Sequence, residues 1–113
     1  MMRLYSLMFV FLFAAVFAVK ASGSNERAAP QLYRKYCVSC HGSDGRAKTS
    51  KGKFSHARDL TDAQWQDEVT DERIFNSIMN GRSARGNMPA FSNKIDQKEA
   101  ESLVNFVRRL RAS

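Results

Sequence analysis

Apolar side chains change their spacing along the chain, and each change marks a different element. Residues 7–19 read LMFVFLFAAVFAV, a continuous run with no polar face, unlike the one-sided pattern of a globular helix. From residue 28 onward the pattern turns helical. In residues 28–36 (AAPQLYRKY), Ala29, Leu32, Tyr33 and Tyr36 share one face and Pro30 suits a first turn, so a helix is predicted that runs into Cys37. Residues 42–58 mix Gly42, Gly45, Gly52, Ser43, Ser50 and several bases without an apolar period. They predict a surface loop with room for one short helical turn. Thr61 or Asp62 can cap a short turn through Trp65. Thr70 can cap a helix that carries Asp71 and Glu72 in its first turn, buries Ile74, Phe75, Ile78 and Met79, and stops at Asn80-Gly81. After the loop RSARGNMPAF, Asp96 with Glu99 opens a capping-box helix through Arg111. Its apolar face is Ala100, Leu103, Val104, Val107 and Leu110, and Arg108, Arg109 and Arg111 sit in its last turn, where the dipole favours cations. No segment alternates with period two. The predicted fold is all-α, with about three to four short helices.

The first apolar run follows Arg3 and spans 13 residues, or 16 counted from Leu4, whereas a membrane-spanning helix needs roughly 20. This is the layout of a secretory signal peptide. Small residues permit cleavage after Ala18 or Ala21, and the second site is preferred, which divides the chain into a signal peptide at 1–21 and a domain at 22–113. Retention of the segment as an N-terminal anchor is the alternative. Export to the periplasm is the expected localisation.

A chain of 113 residues has room for one domain. The formal net charge of +7 is unevenly placed. Residues 42–58 hold Arg46, Lys48, Lys51, Lys53 and Arg58 against Asp44, and residues 59–72 hold Asp59, Asp62, Asp67, Glu68, Asp71 and Glu72 with no base. A dipolar surface follows, suited to steering a charged protein partner and sensitive to salt. Simple solubility is the competing explanation, and no nucleic-acid partner is expected. The large apolar residues are few for several helices, so so small a domain calls for a staple.

Cys37-Val38-Ser39-Cys40-His41 supplies one, because it matches the C-x-x-C-H haem-attachment pattern. Two thiols on one helical turn can add to the two vinyl groups of a porphyrin, and the adjacent imidazole then faces the iron. Three other uses of the pair are weaker. A thioredoxin-like redox pair needs a βαβ setting, a zinc site would have to recruit His41 and His56 across a Gly/Lys-rich loop, and a disulfide would span only two residues.

AAPQLYRKYCVSCHG, DLTDAQW, IFNSIMNGR, NMPAF and the closing amphipathic helix together resemble the class I (monohaem) cytochromes c, over essentially all of residues 22–113. The resemblance implies a cytochrome c-like fold around one covalently bound haem c, with His41 and Met88, the methionine of the Met-Pro loop, as iron ligands. It also implies crossing first and last helices, with the Ala29 and Tyr33 side packed on Leu103, Val104 and Val107. Trp65 corresponds to a buried tryptophan near a haem propionate, and Arg58 and Arg46 are candidates to neutralise propionates. His56 reads as a surface residue and Met79 as core. Relatives often have a proline after the haem motif whose carbonyl accepts from the proximal histidine. Residues 42–58 contain no proline, so another backbone carbonyl must serve His41.

The implied function is that of an exported one-electron carrier, not an enzyme, between redox partner proteins with an acidic docking surface facing the 42–58 bases, Arg82 and Arg85. The membrane would be reached only through partners or an uncleaved N-terminal segment. The alternative is a haem c electron-transfer subunit of a periplasmic oxidoreductase complex. A catalytic haem would require an open iron position.

Overall fold

The computed structural model describes residue 15, residues 23–84 and residues 86–113. The rest of the N-terminal apolar run, both cleavage sites and Arg85 lie outside the described residues. Among the described residues no helix is long and apolar enough to cross a membrane.

Six helices form among the described residues: α1 (Gly23–Tyr36), α2 (Val38–His41), α3 (Ser50–Phe54), α4 (Ala63–Glu68), α5 (Asp71–Asn80) and α6 (Gln97–Arg109). The long ones are α1, α5 and α6; the others are one or two turns. There is no β-ladder among these residues, only an isolated antiparallel bridge between Arg82 and Met88.

The helix starts obey local chemistry. The Asp62 carboxylate accepts from Trp65 N at 2.7 Å, the Thr70 hydroxyl accepts from Arg73 N at 3.1 Å, and Asp96 and Glu99 complete a reciprocal capping box, so each start satisfies amides that would otherwise lack partners. The start of α1 departs from the pattern-based expectation. It begins at Gly23, five residues' worth of chain before Ala28, and places Pro30 inside the helix, where the ring cannot donate to Glu26. The cause is tertiary: the Glu26 carboxylate accepts from Asn105 Nδ2 at 2.8 Å and from Arg109 at 3.3 Å, holding this stretch on α6. The last helix ends at Arg109 rather than Arg111, because the chain beyond is drawn to α4: Arg111 pairs with Asp67 at 3.1 Å and Ala112 N donates to Thr61 O at 2.8 Å.

The crossing of α1 with α6 is the main helix packing. Ala29 is fully buried, and Tyr33 joins Leu103, Val104 and Val107 in one cluster with Ile74, Ile78, Phe91 and Ile95. The rings of Tyr33 and Phe106 lie 4.7 Å apart, a separation typical of favourable aromatic pairs.

One polar residue is central to this packing. Gln66 is buried, and its Nε2 donates to Leu60 O and to Val107 O, both at 2.8 Å. Arg108 donates to Gln66 O and Val69 O at 2.6 Å and to Gln66 Oε1 at 3.1 Å, and it pairs with Asp71 at 2.7 Å. These bonds satisfy carbonyls at the ends of α4 and α6, which is the requirement for burying helix termini.

Candidate haem-binding site

Helix α2 continues α1 across Cys37, with Cys37 N donating to Tyr33 O and His41 N to Cys37 O, both at 2.9 Å. This places the thiols of Cys37 and Cys40, both free and half-buried, on one turn. Burial, with Cys40 alongside, pushes the Cys37 thiol up to about 12. Thioether formation removes that ionisable group altogether. The turn is fixed from behind by the buried Tyr33 hydroxyl, which donates to Gly42 O at 2.7 Å. Burial, then Cys37 and Asp44, raises the phenol above its usual range, so it remains a donor.

His41 is half-buried, and its Nδ1 lies 2.9 Å from the carbonyl oxygen of Arg58. A carbonyl cannot donate, so Nδ1 carries the proton and Nε2 keeps its lone pair. Burial lowers the pKa of His41, while the Arg58 carbonyl opposes that shift. Neutral imidazole is the form that ligates metals. The missing proline carbonyl is therefore replaced by that of Arg58, a backbone group invisible to a reading of side chains.

The residues expected around the haem converge in part. The Arg58 guanidinium stands 5.9 Å from the centre of the half-buried Trp65 ring. Arg46 is exposed, and its charge acts on Asp59. His56 is exposed in a left-handed turn with φ 53°, and Met79 packs against the core. Met88 is half-buried against the same cluster. Its N–H and carbonyl both pair with Arg82 at 2.9 Å. Gly81, with φ 73°, lies so close that a Cβ there would come within 2.5 Å of the Met88 carbonyl, so α5 ends in a glycine for both reasons.

Loop residues 42–58 are built more tightly than their composition suggested. Thr49 caps α3 by accepting from Gly52 N at 2.9 Å, while its hydroxyl donates to Ser39 O at 2.8 Å. Gly52 packs on the Cys40 carbonyl with no space for a Cβ. On the other side, Asn87 N donates to Ser55 O at 3.2 Å. Thus α3 joins the Cys-x-x-Cys-His turn to the Met88 loop. Thr49 with Gly three residues later was a readable cap signal; the partners of Gly52 were not.

The charge asymmetry is weaker in the fold than along the chain. Arg111 pairs with Asp67 and Arg108 with Asp71, whereas no base of residues 42–58 has an ion-pair partner among the described residues.

Two half-buried thiols on one turn and an imidazole with only Nε2 unused define the donor set of a c-type cytochrome. Comparison with known proteins agrees. Residues 24–107 match the family described as cytochrome C oxidase, cbb3-type, subunit III, and the chain belongs to that family, whose cofactor is covalently bound haem c. It is 29% identical over 79 residues to the cbb3-type cytochrome c oxidase subunit CcoP of Azospirillum brasilense, a match that covers 70% of this chain and 26% of that protein. The chain therefore spans about a quarter of that relative's length. Among solved structures, the KustC0563 c-type cytochrome is 34% identical with a TM-score of 0.65, covering 74% of this chain and 98% of that one. Cytochrome CL of Methylophaga aminisulfidivorans MPT shares the fold at 21% identity and a TM-score of 0.59, with 80% of this chain and 56% of that one covered. The protein is a c-type cytochrome and an electron-transfer protein.

Proposed function

We propose that the chain is an exported, monohaem electron carrier in which Cys37 and Cys40 hold the haem and His41 and Met88 ligate its iron. The observation that carries this reading is the hydrogen bond from His41 Nδ1 to Arg58 O, which orients the ring and leaves Nε2 alone for a metal. The haem supplies the one-electron chemistry, its iron alternating between ferric and ferrous. The protein's part is to keep ligation the same in both states. Arg58 fixes the imidazole, and Arg82 holds the Met88 backbone from both sides. With His41 and Met88 both holding the iron, the bound haem would have a raised potential and would serve electron transfer, so catalytic turnover is not part of this reading. Arg58, beside Trp65, would balance a propionate. Residues 1–21 act as the signal peptide, and the site of action is periplasmic.

The partner is a redox protein with an acidic docking surface facing the 42–58 bases, and association slows steeply as salt rises. A second reading, a haem c subunit of a periplasmic oxidoreductase complex, is favoured by the likeness to part of an oxidase subunit.

The direct test is haem staining on denaturing gels together with optical spectra taken with and without carbon monoxide. Wild type should give a haem-stained band and a ferrous spectrum that carbon monoxide leaves unchanged, and Cys37→Ala/Cys40→Ala should give no stained band. A stained wild type that binds carbon monoxide readily would remove the carrier reading.

A further inference from the structure

Helix α3 stands at the seam between the haem-attachment turn and the loop that carries Met88, and one side chain fastens it there. A helix as short as α2 leaves its last carbonyls without intrahelical donors. The Val38 carbonyl accepts from Gly42 N at 2.9 Å, and that of His41 from Ala47 N at 2.8 Å. For Ser39 and Cys40 the donor found among the described residues is the Thr49 hydroxyl. It lies 2.8 Å and 3.1 Å from the two carbonyl oxygens and shares its one proton between them. The same hydroxyl accepts from Gly52 N at 2.9 Å and so caps α3.

The far end of α3 is fastened as closely. Ser55 N donates to Lys51 O and Ala57 N to Gly52 O, both at 2.9 Å, which fixes the path of the chain out of the helix. The Ser55 carbonyl then accepts from Asn87 N at 3.2 Å. Gly86 lies so close that a Cβ there would come within 2.7 Å of that carbonyl oxygen. A short helix held at both ends moves as one body, and such packed elements carry coupling between separate sites.

Resting on the carrier reading above, we propose that Thr49 is a positioning residue for Met88: through α3 its hydroxyl couples the haem-attachment turn to the Met88 loop. Losing the hydroxyl frees the start of α3 from Ser39 and Cys40, and the Met88 loop loses its fixed support at Ser55. Neither proposed iron ligand is touched by the change.

The test is amide hydrogen exchange followed by NMR in the haem-loaded protein, with the Val104 amide reporting global opening. Thr49→Val keeps the shape and removes the hydroxyl. The Asn87 and Met88 amides should then exchange about ten-fold faster relative to Val104, and Thr49→Ser, which keeps the hydroxyl, should restore the wild-type ratio. Asp96→Ala, which removes the α6 cap, should speed all three amides alike. The coupling is reciprocal: Asn87→Pro has no N–H to give Ser55 and should speed the Gly52 amide relative to Val104. That variant decides the matter if Thr49→Val does not load haem. A wild-type ratio in Thr49→Val, or an unmoved Gly52 amide in Asn87→Pro, overturns the proposal, because Thr49 then serves only its own turn or the stability of the whole. Carbon monoxide binding by wild type would remove the carrier reading, while the exchange ratios would still judge the coupling.

Discussion

The Nδ1 atom of His41 and the carbonyl oxygen of Arg58 are 17 residues apart in sequence and 2.9 Å apart in space. The same arginine holds its guanidinium 5.9 Å from the centre of the Trp65 ring. One residue therefore serves His41 through its backbone and Trp65 through its side chain.

These two roles separate by mutation. Arg58→Gln keeps the carbonyl and removes the charge. If the guanidinium balances a haem propionate, the ferric form gains relative stability and the midpoint potential falls, by on the order of 40 mV for an exposed pair worth about 1 kcal/mol. The His41 Nδ1–H resonance of the ferrous protein should persist. A potential unchanged from wild type would mean that Arg58 acts through its carbonyl alone.

Glycines at the seam give a second expectation. Gly81→Ala combines a left-handed backbone with a Cβ driven into the Met88 carbonyl, a combined cost of about 2–4 kcal/mol. The strain falls on the loop that carries Met88, so the variant should bind carbon monoxide before it loses helicity. Gly52→Ala meets the Cys40 carbonyl instead and should reduce the yield of covalently loaded protein on haem-stained gels.

Arg108 tests the buried polar hub. Arg108→Leu leaves Gln66 O, Gln66 Oε1 and Val69 O without their donor, a loss of about 2–3 kcal/mol in denaturant titrations of the holoprotein. Asp71→Asn removes only the solvent-facing pair and should cost less than about 1 kcal/mol. Equal effects would show that the ion pair, not the carbonyl contacts, is what matters.

The contrast between Arg108 and the helix caps explains what was legible in the sequence. Caps at Asp62, Thr70 and Asp96 act within three residues, so the order of the helices and the stop at Gly81 could be read directly. The attachment motif was legible for the same reason: Cys37, Cys40 and His41 are neighbours on one turn. Gln66 lies in the polar run DAQWQDE and reads as surface; only its reach to Val107, 41 residues away, buries it. The start of α1 depends on Glu26 meeting Asn105 across 79 residues. The acceptor for His41 is a main-chain oxygen, which no residue type announces.

Asp59 gives a pH dependence with a definite sign. Burial alone would raise its carboxyl pKa, but the Thr61 hydroxyl and amide together with Arg46 and Lys48 outweigh that and lower it. A carboxyl lowered in the folded state contributes stability above the unfolded value of about 3.9 and loses it as pH falls through the folded value. Wild type should therefore be more stable than Asp59→Ala near neutral pH, with the gap narrowing as the solution is acidified below about pH 4. A gap independent of pH would assign the effect to the neutral turn geometry.

In the proposed function Met88 decides the character of the iron site. Its backbone is paired to Arg82 in both directions and its side chain lies against the core, so the loop keeps its shape when the side chain is changed. A thioether stabilises ferrous iron better than an imidazole does; Met88→His should therefore retain a six-coordinate haem while lowering the potential substantially. Met88→Ala should go further, leaving the sixth position to water or to a nearby side chain, admitting carbon monoxide and giving weak peroxidase activity absent from wild type. The weak sulfur-to-iron band at the red end of the ferric spectrum should be present in wild type and missing from both variants. Its survival in Met88→Ala would place another residue on the iron, and the case for a dedicated electron carrier would then lose its main support.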